Sequence, residues 1–347
     1  MLQNAEPFHF IADKGDIRLR LDQVLMRRVT AVSRLSRTMA QRWIESGAVQ
    51  VDGIAVLRPA SRVRIGAHVT IAIPASAPRR LRPEAEAADL DVLYEDEWLL
   101  ALNKPPGVVV HPSYKQTSGT LLNGVLGRLR AQPDATPGII TRLDKDTSGL
   151  VLIALAPAIH AAVQRDAAAG QVQKRYLALV AGVPAPASGR ITQPIGRDPT
   201  DRRRMMVLPE GARSETTYEV VYTFAARSGR QPGGDQPAGA AARALVACTP
   251  VTGRTHQIRV HLASLGCPVL GDHVYGAADE GIARQALHAW AIALPHPVTR
   301  EPLVIEAPLP SDMKSVLLAH GTMPPSLNVW PEGRRVTRAG HLPERHA

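Results

Sequence analysis

The sequence predicts an α+β protein built from two domains, and three observations lead to this prediction. The chain has 347 residues, which corresponds to about two domains at roughly 150 residues each. Residues 76–90 are rich in Pro, Ala and charged side chains, which is typical of a linker between domains. In the longer segment after this linker, short β-rich runs outnumber helical patterns and do not alternate with them regularly. That arrangement favours α+β over a parallel α/β fold.

The chain is therefore divided into five parts. They are a polar leader (1–15), a small first domain (16–75), the linker (76–90), a larger second domain (91–313) and a basic C-terminal tail (314–347) whose Pro, Gly and Arg content favours disorder.

The patterns of the first domain predict two helices followed by a hairpin. Apolar residues recur at helical spacing over 20–29, which predicts the first helix. Thr38, with Gln41 three residues later, has the spacing of a capping box and predicts the start of a second helix. Asp52 and Gly53 separate two short β-rich runs, which is a strong hairpin signal.

The second domain is expected to be dominated by strands. The β-rich runs are 98–104, 149–155, 175–182, 215–224, 243–251 and 303–308. The best helical patterns are 158–169 and 256–265. Between two of the strands, residues 225–242 show no periodicity and are rich in Gly, Ala and Pro, which predicts a flexible hairpin loop.

Charge and composition narrow the class of protein. The formal net charge is +10, which favours an anionic partner, with nucleic acid ahead of a membrane surface. The excess is concentrated near the N-terminus, where residues 14–82 contain 14 Lys and Arg against 4 Asp and Glu. Aromatic residues make up only 4% of the chain, so an aromatic side chain within a polar motif is a stronger candidate for a functional role.

The sequence also bears on compartment and metal content. Cys248 and Cys267 lack the paired spacing of metal ligands or of a disulfide framework, which favours a reducing cytoplasm. The longest apolar stretch, 150–156, is far shorter than the roughly 20 residues of a membrane span. His256 and His261 are not at the i, i+4 spacing of a helical zinc pair, so no metal site is expected.

The most informative segment is TRLDKDTSG (141–149), a polar knot that leads into an apolar strand. Asp144 lies two residues from Arg142 and directly before Lys145. Nearby cations favour the ionised form of a carboxyl group, and a positioned carboxylate can act as a nucleophile or a general base. The competing interpretation is a turn whose Asp, Thr and Ser side chains only cap the backbone. The residues alone leave both open.

Five segments in order resemble the Rlu-type pseudouridine synthases, the enzymes of large-subunit ribosomal RNA. They are LLALNKPPGVVVHPS (99–113), TRLDKDTSG (141–149), KRYLALVAG (174–182), GRDPTDRRRMMVLPEG (196–211) and TGRTHQIRVHLASLGCPVLGDHVYG (252–276). The family's His before Arg-Leu-Asp is replaced by Thr141. The resemblance implies an α+β pseudouridine synthase fold, with a mixed, mostly antiparallel sheet and flanking helices.

The resemblance also implies roles for single residues. Asp144 corresponds to the family's catalytic aspartate, which opens the glycosidic bond of a uridine so that carbon 5 of the base can rejoin the ribose. Tyr176 corresponds to the tyrosine that stacks on the base, and Arg259 to the basic partner of the carboxylate. Arg142 corresponds to a residue that fills the gap left by the flipped nucleotide. Neither a metal nor an organic cofactor takes part.

Weaker candidates for RNA contact surround these motifs. Arg254, Thr255, His256 and Gln257 form a polar cluster suited to phosphate or base. Asn103 and Lys104 are expected in the cleft, although the Lys-Pro-Pro-Gly run could only shape a loop.

The first domain resembles the alpha-L RNA-binding domain, a small α/β module also found in a small-subunit ribosomal protein. Arg34, Arg37, Arg42 and Arg58 are the residues expected to face RNA. The competing interpretation is a basic module that makes no RNA contact.

We therefore expect a cytoplasmic, monomeric enzyme that converts specific uridines of RNA to pseudouridine, with 23S ribosomal RNA as its substrate. The alternatives are the same reaction on transfer RNA, or a non-catalytic RNA-binding or ribosome-assembly factor with the same fold. The presence of Asp144, Tyr176 and Arg259 in matching contexts favours the enzyme.

Overall fold

The computed structural model describes residues 7–29, 35–72, 83–113, 116–132, 135–201, 203–225, 242–276, 281–320 and 334–336. The chain forms two compact units, Met1–Arg82 and Pro83–Ala347. Strands and helices are mixed without regular alternation, so the α+β prediction is confirmed. Among the described residues, no helix is long and apolar enough to cross a membrane.

The first unit packs two helices against a small antiparallel sheet. Its elements are β1 (Phe8–Ile11), α1 (Leu21–Val29), α2 (Arg37–Glu45), β2 (Val49–Val51), β3 (Ile54–Ala55) and β4 (His68–Ile71), with strand order β1-β4-β2-β3. Leu21, Leu25 and Ile44 are fully buried between the layers. Asp52 and Gly53 both have positive φ, as a two-residue hairpin turn between β2 and β3 requires.

Two predictions for the first unit are wrong. Part of the expected leader is strand β1, because Phe8–Ile11 pairs with β4 and places Phe8 and Phe10 against the core. Helix α2 begins earlier than expected, because Ser36 is its N-cap and accepts a hydrogen bond from the Met39 N–H. Gln41 is not a capping partner, since its side-chain amide donates to Asp22 instead.

The second unit is built on one large sheet. The strands of the second unit in chain order are β5 (Val92–Glu95), β6 (Leu99–Lys104), β7 (Gly138–Ile139), β8 (Ser148–Ala154), β9 (Gln173–Ala181), β10 (Ser188–Ile191), β11 (Ile195–Arg197), β12 (Met205–Val207), β13 (Thr216–Ala225), β14 (Ala242–Pro250), β15 (Leu287–Pro295), β16 (Pro302–Glu306) and β17 (Arg334–Val336). The sheet runs β10-β13-β14-β9-β15-β8-β6-β5, and β11 and β12 form a separate hairpin. Along this row, only β8 and β15 pair in parallel, so the sheet is mixed and mostly antiparallel.

Helices cover both faces of this sheet. They are α3 (Leu121–Arg128), α4 (Pro157–Ala168), α5 (Gln257–Ser264) and α6 (Ser311–Leu318). Leu150 and Leu152 of β8 pack in one cluster with α4, whereas Val151 and Ile153 pack in another with α3. Burial on both faces explains why β8 is a continuous apolar run with no alternation.

The structure also bears on the edges of the predicted domains. Residues 76–82 of the expected linker lie outside the described residues, but 83–90 lies against α3, where the Glu86 N–H donates to the Asn123 carbonyl (3.0 Å). The expected domain end at 313 falls inside α6, whose Met313 is fully buried. Residues 226–241 also lie outside the described residues, although Ala225 pairs with Ala242 at the ends of β13 and β14.

Candidate active site

A cleft of about 610 Å³ opens where β8, β9 and β15 meet the start of α5. Asp144 reaches it from the turn that precedes β8, Tyr176 from β9 and Arg259 from the first turn of α5. These residues are distant in sequence and meet because β15 lies between β8 and β9 in the sheet. The three residues expected to be catalytic therefore line one cleft.

Arg259 joins two carboxylates of different exposure. Its Nη1 donates to Asp144 Oδ2 at 2.9 Å, while Nε and Nη2 donate to the two oxygens of Asp272 at 2.6 and 2.8 Å. Asp272 is fully buried, whereas the Asp144 side chain retains 29% of its exposure. Burial alone would raise the pKa of the Asp272 carboxyl, but the bonds and charge of Arg259 bring it below its usual value.

Tyr176 forms a flat wall of the cleft. Burial raises the pKa of its phenol, and the negative charge of Asp144 raises it further, so the hydroxyl keeps its proton. Lys174 lies two residues earlier on β9 and lines the same cleft, and burial lowers its pKa. A neutral aromatic ring beside a carboxylate is suited to stacking on a base.

The turn that carries Asp144 is held by two buried cations. Lys104 Nζ donates to the carbonyls of Pro105, Val108 and Lys145 at 2.8–2.9 Å. Burial lowers the pKa of this ammonium to about 8. Lys104 is therefore an internal support for the turn. The sequence-based expectation that it lines the cleft is wrong.

Arg284 supports the same turn from the other side. Its Nη1 donates to the carbonyl of Asp146 at 3.1 Å, and its remaining nitrogens bond both oxygens of Asp312 at 2.6 and 2.9 Å. Thr141, at the position of the family's His, is buried, and its Oγ1 accepts the Leu152 N–H at 2.9 Å. The Thr141 side chain thus completes the hydrogen bonding of β8 at a position that lines the cleft.

The start of α5 supplies the opposite wall. Arg254 and Thr255 are exposed at the cleft, as expected for RNA contact. Gln257 is buried: its amide donates to the Glu215 carbonyl and to Thr216 Oγ1, and its oxygen accepts from Thr252 and the Arg254 N–H. The Gln257 amide therefore shapes the wall and has no free polar atom for a substrate.

His256 occupies the position directly before α5 with a left-handed backbone (φ 56°). Its Nδ1 lies 2.8 Å from the Tyr275 hydroxyl, and its Nε2 lies 3.9 Å from Asp144 Oδ2. The Tyr275 hydroxyl also accepts the Met205 N–H at 2.7 Å, and the Arg259 guanidinium lies 5.0 Å from the Tyr275 ring centre. This network joins α5 to the β11–β12 hairpin.

The remaining candidates are dispersed. Arg142 is exposed and lines the cleft beside Asp144. Asn103 does not line it, because its amide donates to Asp91 at 2.9 Å. In the first unit, Arg37 pairs with Asp22 and Arg42 is exposed, whereas Arg34 lies outside the described residues.

Sequence reasoning missed the residues that hold the site together. Asp272, Tyr275 and Arg284 were not among the predicted site residues. Only folding brings them into contact with Arg259, His256 and the turn that carries Asp144. The weak signal for the first two was their place in the quoted segment 252–276. Within the described part of the chain, no group of three His, Cys, Asp or Glu residues is arranged to hold a metal ion.

Comparison with known proteins gives consistent matches in both units. The sequence matches the family described as RNA pseudouridylate synthase over residues 98–264 and the S4 domain over residues 19–69.

Among similar proteins, "Ribosomal large subunit pseudouridine synthase D" of Nitrosomonas europaea is 38% identical over 320 residues, 89% of this chain and 86% of that protein. The uncharacterized RNA pseudouridine synthase YlyB of Bacillus subtilis is 37% identical over 287 residues, 81% of this chain and 88% of that protein. The solved structure of human RNA Pseudouridylate Synthase Domain Containing 4 superposes with a TM-score of 0.53 at 25% identity, covering 68% of this chain and 95% of that one.

Proposed function

This chain belongs to the RNA pseudouridylate synthase family, and from that premise we propose that it converts uridine to pseudouridine in ribosomal RNA with Asp144 as its catalytic carboxylate. The protein is thus a pseudouridine synthase, an isomerase that acts on RNA. The observation that carries the catalytic assignment is the contact of Asp144 with the buried Arg259 inside the cleft (2.9 Å). Arg259 is itself held by two hydrogen bonds to Asp272, so the position of its guanidinium next to Asp144 is fixed.

The proposed reaction breaks the bond between C1′ and N1 and forms a bond between C1′ and C5 of the same base. The proton on C5 is lost and N1 gains one, so atoms and electrons balance within one nucleotide. Asp144 either attacks C1′ or removes a proton from C2′, and both routes place its carboxylate against the ribose. Because the change is redox-neutral and internal to the nucleotide, the proposal requires neither a metal nor an organic cofactor.

The target nucleotide must leave its stack to reach Asp144, at a cost of about a few kcal/mol. Tyr176 provides a face on which the base can stack, worth roughly 1–3 kcal/mol. Arg142 is exposed at the mouth of the cleft, where its planar guanidinium can occupy the vacated position. These residues support extrusion of a base, which a general RNA-binding factor does not need.

Ribosomal RNA is proposed as the substrate because several similar proteins are named ribosomal large subunit pseudouridine synthase D. Ribosomal RNA also implies the cytoplasm as the place of action, and the proposed reaction needs only a monomer. Transfer RNA as substrate and a non-catalytic role are distinguished by the experiment below.

The test is complementation of a deletion strain with wild-type protein, Asp144→Asn or Asp146→Asn, followed by mapping of pseudouridine in ribosomal and transfer RNA. We expect Asp144→Asn to abolish the modification and to leave RNA affinity within a few-fold of wild type. Asp146→Asn, a matched change in the same turn, is expected to retain it. Full modification by Asp144→Asn would refute the catalytic assignment. Pseudouridines that are lost from transfer RNA alone in the deletion strain would refute ribosomal RNA as the substrate. A deletion strain that loses no pseudouridine would support the non-catalytic alternative.

A further inference from the structure

His256 lies between the proposed catalytic carboxylate, Asp144, and the hydroxyl of Tyr275. One ring nitrogen faces the Tyr275 hydroxyl at 2.8 Å and the other faces Asp144 Oδ2 at 3.9 Å. The two aromatic rings meet edge to face, at 5.6 Å and 73°. The orientation of the imidazole is therefore set by Tyr275 and directed at Asp144.

The hydrogen bonds around Tyr275 determine which nitrogen of His256 carries the proton. The Met205 N–H can only donate, so the Tyr275 oxygen accepts it at 2.7 Å. The hydroxyl proton then needs an acceptor, and Nδ1 of His256 is the one that the described residues provide. If Nδ1 carried the proton instead, the hydroxyl proton would have no acceptor among those residues. Donation from Tyr275 to Nδ1 therefore favours the neutral tautomer with its N–H at Nε2, on the side of Asp144.

Both groups keep the protonation states that this arrangement needs. Burial lowers the pKa of His256, with Arg259 and Arg197 adding to the effect and Asp144 and Asp272 opposing it, so the ring is neutral at neutral pH. Burial raises the pKa of Tyr275, which keeps its hydroxyl proton available for donation.

The gap between His256 and Asp144 has the size of one bridging oxygen. At 3.9 Å, Nε2 and Oδ2 are too far apart for a direct hydrogen bond. A hydroxyl oxygen placed about 2.8 Å from each can accept from Nε2–H and donate to the carboxylate. A carbonyl oxygen cannot do both, because it has no proton to give.

We propose that His256, fixed in its Nε2–H tautomer by Tyr275, donates a hydrogen bond to the 2′-hydroxyl of the target uridine, and that this hydroxyl in turn donates to Asp144. The inference rests on the proposed function, since both routes bring Asp144 against C1′ or C2′, and C2′ bears this hydroxyl. His256 is then a catalytic residue that touches substrate, and Tyr275 is a positioning residue. The contact would make the site selective for ribose over deoxyribose at the target position.

The tautomer can be read directly in the full-length protein by NMR with ¹⁵N-labelled histidine, using His256→Gln to assign the signals. We expect an Nε2–H tautomer in the wild type and a mixture of tautomers in Tyr275→Phe, which keeps the ring beneath Arg259 but removes the hydroxyl. An Nδ1–H tautomer in the wild type, or no change in Tyr275→Phe, overturns the inference without bearing on the proposed function.

Two substitutions of His256 separate a hydrogen-bond donor from other roles. The amide N–H of Gln can reach close to the position of Nε2, whereas that of Asn reaches only to Nδ1. Loss of one such bond predicts a roughly tenfold to hundredfold lower single-turnover rate for His256→Asn. His256→Gln is expected to stay within about tenfold of wild type, and adding Tyr275→Phe to it is expected to change the rate less than about twofold. Equal rates for the Gln and Asn variants overturn the inference.

A modified substrate tests the atom that is contacted. RNA with 2′-deoxyuridine at the target should bind wild type about tenfold more weakly than uridine RNA, and His256→Asn should bind both within about twofold. An undiminished preference for uridine in His256→Asn would assign the hydroxyl to another residue and overturn the contact. Absence of pseudouridine with the wild-type chain would instead overturn the proposed function, and the NMR result would still stand.

Discussion

At the scale of single residues, the site depends on how one guanidinium is shared. Arg259 gives two of its nitrogens to Asp272, which is fully buried, and one to Asp144 at the surface of the cleft. A lysine could not bond both carboxylates in this way, because it has a single nitrogen without the planar fork. Asp272 therefore acts on Asp144 through Arg259, and the pair couples the stability of the fold to the position of the Asp144 carboxylate.

Arg259→Leu is expected to lower the free energy of unfolding by about 3 kcal/mol or more, because it leaves Asp272 buried without its partner. Adding Asp272→Asn should recover part of that stability and none of the pseudouridine formation. Urea unfolding of the full chain measures the first effect. Arg128→Leu, which breaks the surface ion pair with Glu95, is the control and should cost less than about 1 kcal/mol. No recovery in the double variant would show that Asp272 is not the source of the loss.

At the scale of elements, the site depends on the close approach of β8 and β15. Gly149 has φ 109°, and a Cβ there would lie 2.3 Å from the carbonyl oxygen of Ala289. The pairing of Ser148 with His288 and of Gly149 with Ala289 fixes where β8 begins, four residues after Asp144. A glycine is required here for both backbone conformation and space.

Gly149→Ala should accordingly cost several kcal/mol of unfolding free energy, since it adds a clash with main chain to an unfavourable φ. Gly170→Ala is the matched control, because Gly170 also has positive φ (74°) but nothing within 4 Å of the added methyl group. It should cost about 1 kcal/mol. Equal losses, measured by urea unfolding, would mean that backbone conformation alone determines the effect and that β8 and β15 can separate.

Sequence patterns predicted the elements whose signal is local and missed those that depend on their neighbours. The hairpin at Asp52 and Gly53 is set by turn chemistry within two residues, so it was predictable. Helix α3 was missed because Gly124 and Gly127 weaken its helical signal. Both are small so that residues 83–90 can lie against it: a Cβ on Gly127 would lie 1.9 Å from the Glu86 carbonyl oxygen. No local pattern reports such an approach.

The same distinction applies to the site. Asp144, Tyr176 and Arg259 were expected only through resemblance to a family, because the residues alone allowed a simple capped turn at 141–149. Lys104 was expected in the cleft, with a role only in shaping the loop as the alternative, and three carbonyls bind its ammonium in the interior. Whether a charged side chain faces solvent or supports a turn is decided by contacts that are distant in sequence.

At the scale of the whole molecule, positive charge is not evenly distributed. Residues 14–82, which include the match to the S4 domain at 19–69, carry most of the excess. The cleft instead relies on a few placed side chains around Asp144. We infer that the first unit provides much of the general affinity for phosphate, whereas the second selects the nucleotide.

Arg42→Gln with Arg58→Gln in the full chain should weaken RNA binding and reduce its dependence on salt. Each phosphate contact removed is expected to lower the slope of log K against log salt concentration by about 0.7 for single-stranded RNA. Affinity measured at several salt concentrations gives this slope. Asp144→Asn serves as the control and should leave it unchanged. A slope that does not differ between the double variant and wild type would assign the RNA contacts to other residues.

One feature of the cleft bears on how such an enzyme can diverge. The bond that holds Tyr275 comes from the main chain of Met205 and not from its side chain. Every amino acid except proline supplies the same N–H. Substitutions of side chains in this hairpin, proline at position 205 excepted, therefore keep the donor that orients the histidine. In evolutionary terms, the side chains of the hairpin can diverge while the orientation of His256 is inherited unchanged.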